Sequence, residues 1–206
     1  MTLCTECPLD NRGIDHPICV PQPSDLLKGC IISRDPTFEF IAHFKKYQKG
    51  KGNFQFDAPP AWLYEHIQYF MGFESGSNEM KKLEEFLNLQ CYWTHFHKCP
   101  TNKNKDEFRF LYSNGERCAD IWFDREILKY DLKQKIVVLL GRDLQTYFQR
   151  NGDHQLLQNN HIIYLPHPSS VNCGTGWSWN KDKPSDDKYK IQIEKEIKKL
   201  LSIISD

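Results

Sequence analysis

The sequence has no long apolar run, since no stretch approaches the roughly 18 to 20 residues of a membrane-spanning helix. Its first ten residues, MTLCTECPLD, lack both the basic start and the apolar core of a secretory signal. No internal repeat, low-complexity tract or Pro/Ser-rich linker divides the 206 residues. We therefore expect one soluble, intracellular domain over residues 1–206, with no membrane partner.

Net charge is also missing, because 27 basic side chains balance 27 acidic ones. A neutral chain does not hold an acidic polymer by bulk electrostatics, so any contact with nucleic acid must come from a local patch. The most basic run is KKYQKGKGN at 45–53, which includes Lys49 and Lys51. Runs of charge usually form solvated faces, but these lysines are the candidates for phosphate contacts if DNA docks nearby.

Strand patterns alternate with helical patterns along the chain. The predicted strands are KGCIIS before SRDP, CYWTHF at 91–96, KIVVLLG at 135–141 and HIIYLP before HPSS. The predicted helices cover about 38–47, from Pro59 to Met71, 78–88, 115–130, the residues after Gly141, and the tail from about 188 to 204. This alternation predicts a parallel sheet covered on both faces, whose chemistry lies at the carboxyl ends of the strands. SRDP and HPSS both fall at such ends.

Eight cysteines need explanation in a chain without an export signal, where metal ligands or buried thiols are more common than disulfides. Cys4 and Cys7 form a C-x2-C pair, and Cys99 and Cys118 form a wider second pair. Four thiolates suit either tetrahedral zinc or an iron-sulfur cluster, although the wide second pair fits a zinc ribbon poorly. The others lack partner spacing and are expected to be buried or incidental thiols: Cys19, Cys30, Cys91 and Cys173.

Three segments occur in one order: CTECPL near the start, HKCP followed by Cys118, and LPHPSS after a strand. Together they resemble the uracil-DNA glycosylase superfamily, in particular its iron-sulfur branch of families 4 and 5, with SRDP in the place of the first motif. The resemblance implies a three-layer α/β/α fold around a four-stranded parallel sheet. It also implies a monomer, cytoplasmic or at the nucleoid of a prokaryote, that acts on DNA containing a damaged base. A 4Fe-4S cluster would be held by Cys4, Cys7, Cys99 and Cys118, with zinc as the alternative.

The resemblance assigns roles around the two motifs. Asp35 would orient a water and favour a cationic sugar, although an Asp-Pro turn is the plain structural alternative. His167 would donate a hydrogen bond to the base carbonyl where negative charge grows. Ser169 and Ser170 would meet DNA phosphates, and Val171 would be a small apolar wedge in the vacated stack.

The predicted base-binding residues depart from the iron-sulfur families. Ser33 and Arg34 stand where those families carry a GE-x-PG type motif, and His95 stands where they carry a base-reading asparagine. Phe54 is the preferred candidate to stack on the base. The expected reaction is excision of a deaminated base, uracil first, and the alternative is a protein of the same fold that binds damaged DNA without turnover or captures it covalently.

The sequence leaves two further features undecided. His97 should share a face with His95 because side chains alternate along a strand, so both could line the pocket or one could pack beneath it. Trp177 and Trp179 could lie beside the flipped base or seal the back of the HPSS loop.

Overall fold

A computed structural model describes residues 27–35, 59–97, 123, 135–168, 177–179 and 187–205. The strands within these ranges are β1 (Gly29–Ser33), β2 (Cys91–His95), β3 (Ile136–Leu140) and β4 (His161–Leu165). They form one sheet in the order β2-β1-β3-β4, and every neighbouring pair is parallel. The predicted four-stranded parallel sheet is confirmed.

The central strands β1 and β3 show why the sheet needs two covered faces. All five residues of each strand are buried, although successive side chains point to opposite faces. The sequence IVVLL of β3 is therefore apolar without alternation, as is typical of a strand that packs against helices on both sides. The prediction of a sheet covered on both faces is confirmed.

The helices are α1 (Pro59–Met71), α2 (Asn78–Glu85), α3 (Arg142–Arg150) and α4 (Asp187–Ile203). α1 begins with two prolines, which are tolerated in a first turn where the N–H groups lack helical partners. α2 begins after Ser77, whose side chain accepts a hydrogen bond from the Met80 N–H at 3.4 Å. A π-helical turn, Phe86–Gln90, then leads directly into β2.

The helices bury the apolar faces that the sequence predicts. Leu63 and Ile67 of α1 and Ile197 of α4 have no exposed surface. Cys30 and Cys91 are also buried, and burial raises the pKa of the Cys91 thiol well above its usual value. These two cysteines are therefore core side chains, as predicted.

Two of the predicted helices, at 38–47 and 115–130, lie outside the described residues apart from Phe123, as do Cys19 and Cys173. Within the described ranges, no helix combines the length and the apolar character needed to cross a membrane.

Candidate active site at the carboxyl edge of the sheet

Polar side chains follow all four strands at the carboxyl edge of the sheet. In the strand order β2-β1-β3-β4, the chain leaves β1 toward β2 on one side and later returns to β3 on the other side. The order therefore reverses between β1 and β3, and open α/β sheets bind ligands in the crevice at such a reversal. Asp35, Asp143 and His167 each follow a strand at this edge.

The backbone before Asp35 is fixed by β2. Pairing continues past the end of the strands, because the Phe96 N–H donates to the Ser33 carbonyl at 2.9 Å and the His97 N–H donates to the Arg34 carbonyl at 2.8 Å. The first motif is thus anchored up to the residue that precedes its carboxylate.

Arg34 joins two carboxylates across the crevice. Its Nε pairs with Oδ1 of Asp35, and its Nη1 lies 3.0 Å from Oδ2 of Asp143. Asp143 lies in the first turn of α3, where the positive end of the helix dipole favours a negative charge. The guanidinium therefore connects the end of β1 to the start of α3.

Ser33 and His95, two predicted base-binding residues, are partners in the register of β1 and β2. They are 1% and 2% exposed, and the Ser33 hydroxyl accepts a hydrogen bond from Nε1 of Trp93 at 3.3 Å. His97 is buried as well, at 5% exposure. The structure brings these residues to the carboxyl edge beside Arg34, and their contact with a base stays a prediction.

Side chains from distant parts of the chain contact the backbone carbonyls on both sides of His167. Nε1 of Trp179 donates to the Pro166 carbonyl at 3.1 Å, and Nε2 of His66 lies 3.0 Å from the Pro168 carbonyl. Because a carbonyl oxygen only accepts, Nε2 of His66 carries a proton. Trp179 therefore seals the back of this loop, one of the two positions that the sequence allows.

A glycine adopts the positive φ of the turn after β3, beside the histidine loop. Gly141 has φ +95, a backbone conformation that favours glycine, and a Cβ placed there would lie 3.5 Å from Cβ of His167. Its N–H donates to the Leu165 carbonyl at 2.8 Å, which ties the end of β3 to the end of β4.

The surroundings of His167 keep its imidazole neutral. Burial lowers its pKa from 6.5 to about 4, because the charged form loses hydration. The Asp35 carboxylate opposes this effect and raises the pKa, whereas the charges of Arg34 and His66 lower it. At pH 7 the ring can therefore donate one hydrogen bond without carrying a charge. It lies close enough to Asp35 for that carboxylate to act on its pKa.

The model of the uracil DNA glycosylase superfamily matches residues 23–194, which include both Asp35 and His167. The chain belongs to the uracil DNA glycosylase superfamily. Membership indicates a DNA glycosylase in general, an enzyme that acts on DNA and hydrolyses an N-glycosidic bond. A comparison with curated proteins gives no match to this chain.

Several predicted site residues of this superfamily member lie outside the described residues. They are the candidate cluster ligands Cys4, Cys7, Cys99 and Cys118, the stacking candidate Phe54, and the DNA-contact candidates Lys49, Lys51, Ser169, Ser170 and Val171. In the part of the chain that the structure describes, no group of three or more His, Cys, Asp or Glu side chains could hold a metal ion. The cluster and these DNA contacts therefore stay predictions.

Sequence reasoning missed two residues of this edge, His66 and Asp143. Asp143 has a sequence signal, because it follows a buried strand at the same kind of position as Asp35. His66 has none, because its partner at Pro168 is 102 residues away along the chain.

Proposed function

We propose that this chain is a DNA repair glycosylase that flips a deaminated base, uracil first, out of DNA and hydrolyses its N-glycosidic bond. The product is an abasic site. The observation that carries the proposal is that Asp35 and a neutral His167 lie at the same carboxyl edge of the sheet, close enough for the carboxylate to act on the pKa of the histidine, in a member of the uracil DNA glycosylase superfamily.

The reaction places opposite charges on the two sides of the breaking bond. A base stacked in DNA must first leave the stack and enter a pocket, where positive charge then grows on the sugar and negative charge on the departing base. A carboxylate beside the sugar favours the positive charge and can orient the attacking water. Asp35 is the candidate, because its side chain is only 11% exposed and the backbone up to the preceding residue is anchored by hydrogen bonds.

His167 supplies the complementary interaction on the base side. Its pKa of about 4 leaves the ring neutral at physiological pH, so the ring stabilises a growing negative charge by hydrogen bonding. The contacts of Trp179 and His66 with the neighbouring carbonyls fix the loop before DNA arrives. A donor that is already in place needs no reorganisation during the reaction.

The test is a single-turnover assay on duplex oligonucleotides that carry one uracil, hypoxanthine or xanthine, with an undamaged duplex as control. We expect abasic sites, detected as alkali-sensitive strand breaks, first in the uracil duplex. Absence of abasic product from all three substrates would contradict the proposal. A protein-DNA adduct on a denaturing gel would instead support covalent capture. That alternative is suggested by His95, which stands in place of the family asparagine.

For the cofactor, we propose that Cys4, Cys7, Cys99 and Cys118 bind a 4Fe-4S cluster. Four thiolates are a suitable donor set for such a cluster and also for zinc. The purified protein should be brown and contain iron and sulfide in stoichiometric amounts, and Cys4→Ala should lose them. A colourless preparation containing zinc would contradict the cluster.

A further inference from the structure

We propose that Asp143 is a positioning residue, which holds Arg34 across the crevice so that the guanidinium fixes the Asp35 carboxylate. The inference rests on the proposed function, because it concerns the same reaction. It adds a residue of α3, Asp143, which contacts Arg34 and acts on Asp35 only through that arginine.

The guanidinium of Arg34 contacts both carboxylates at once. Arg34 uses Nε for Asp35 and Nη1 for Asp143, so two different nitrogens of one plane are engaged. A guanidinium is planar and rigid, so holding one nitrogen sets the direction of the others. Asp143 therefore determines how Arg34 presents its Nε to Asp35.

Both ends of this bridge are anchored in the fold. The Arg34 carbonyl accepts the His97 N–H at 2.8 Å, which fixes the backbone of the arginine. Asp143 belongs to the first turn of α3, and Gly141 just before that helix is tied to Leu165 at 2.8 Å. The backbones that carry Arg34 and Asp143 are therefore held in place from β1 and from α3.

Asp143 also shares the positive charge of the Arg34 guanidinium with Asp35. Arg34 is flanked by two carboxylates, so the guanidinium does not neutralise the Asp35 charge alone. Without Asp143, the whole guanidinium charge would fall on Asp35 and weaken the field that favours a cationic sugar. An arginine side chain without the Asp143 contact would also gain rotamers and hold Asp35 less firmly in one orientation. Both effects slow the chemical step and leave the binding of DNA unchanged.

The first test compares Asp143→Asn with Asp143→Glu and with the control Asp153→Asn. Asp153 is exposed and lies beyond the end of α3, so its replacement removes the same charge away from the crevice. We expect Asp143→Asn to lower the single-turnover rate by about tenfold to a hundredfold, as a small misplacement of a reacting group does. Its Kd for uracil-containing DNA should not change. Asp143→Glu should restore most of the rate, and Asp153→Asn should behave like the wild type.

A double-mutant cycle tests whether Asp143 acts through Arg34. The combination of Arg34→Gln with Asp143→Asn should be no slower than Arg34→Gln alone, because both changes break the same bridge. Additive losses would overturn the proposal. So would an unchanged rate for Asp143→Asn in an otherwise active enzyme.

A measurement without substrate separates this inference from the proposed function. In 15N NMR spectra, the Nε–H signal of Arg34, assigned by its loss in Arg34→Gln, should shift or broaden in Asp143→Asn and stay unchanged in Asp153→Asn. An unchanged signal in Asp143→Asn would overturn the inference. If the wild type released no base from any duplex, the proposed function would fail, and this signal would still decide whether Asp143 holds Arg34.

Discussion

The imidazole of His66 stacks on the indole of Trp179, with ring planes 5° from parallel and centroids 5.6 Å apart. Each ring donates to one of the two proline carbonyls that flank His167. Two rings from distant parts of the chain therefore act as one support behind the loop. They act on the reaction only through the backbone around His167, the residue that is proposed to contact the base.

The first prediction removes one donor of this support. Trp179→Phe keeps an aromatic ring against His66 but leaves the buried Pro166 carbonyl without its N–H donor. Since one hydrogen bond contributes about 1 kcal/mol, we expect a loss of about fivefold or more in the single-turnover rate, with unchanged Kd for DNA. Trp62→Phe, on α1, is the matched control and should keep the wild-type rate. Equal rates for the two variants would contradict a role of Trp179 in holding the loop.

The second prediction concerns the carboxylate. Asp35→Asn keeps the shape of the side chain but removes the charge that would favour a cationic sugar. We expect the single-turnover rate to fall by about a hundredfold to ten-thousandfold, while the affinity for damaged DNA is retained. Asp153→Asn again controls for the lost charge. An unchanged single-turnover rate would show that Asp35 has no catalytic role.

The sheet was predictable because its two central strands are continuous apolar segments. β1 and β3 are buried at every position, and such runs between helical patterns fit a parallel sheet and few other structures. Asp35 and His167 were predictable for a related reason. Each follows a strand directly, and the carboxyl ends of parallel strands meet at one edge.

The partners of these two residues depend on how distant segments meet in space. Arg34 carries a sequence signal for the site, but its pairing with Asp143 joins residues 109 positions apart. His66 lies on a helix whose apolar spacing predicts only that Leu63 and Ile67 are buried. No local pattern shows that a side chain between these core positions reaches the Pro168 carbonyl.

The third prediction follows from the lowered pKa of His167. An unfolded chain binds the histidine proton near pH 6.5, whereas the folded protein binds it only near pH 4. Between these values the unfolded state holds more protons, so stability must fall as the pH drops through this window. His167→Asn lacks this contribution, so its Tm should fall less than the wild-type Tm between pH 7 and pH 4.5.

The control for this experiment is His161→Asn, because His161 is exposed at the opposite end of β4. This variant should keep the wild-type dependence of Tm on pH. If His167→Asn and the wild type lost the same Tm on acidification, the neutral state of His167 in the folded protein would be contradicted.

The fourth prediction compares two glycines with positive φ, to separate the effect of backbone strain on stability from the effect of a displaced His167 on activity. Gly141 and Gly76 both have positive φ, +95 and +81, so alanine at either position should cost about 1–3 kcal/mol of stability. At Gly141 the added Cβ would make only an ordinary van der Waals contact, 3.5 Å from Cβ of His167. The strain there reaches the histidine loop through the backbone, because the Gly141 N–H donates to the carbonyl of Leu165, two residues before His167. Both variants should therefore have a lower Tm, but only Gly141→Ala should lose single-turnover activity at a temperature where both are folded. If activity fell equally in both, the loss would follow from stability alone, and the backbone link from Gly141 to Leu165 would have no part in placing His167.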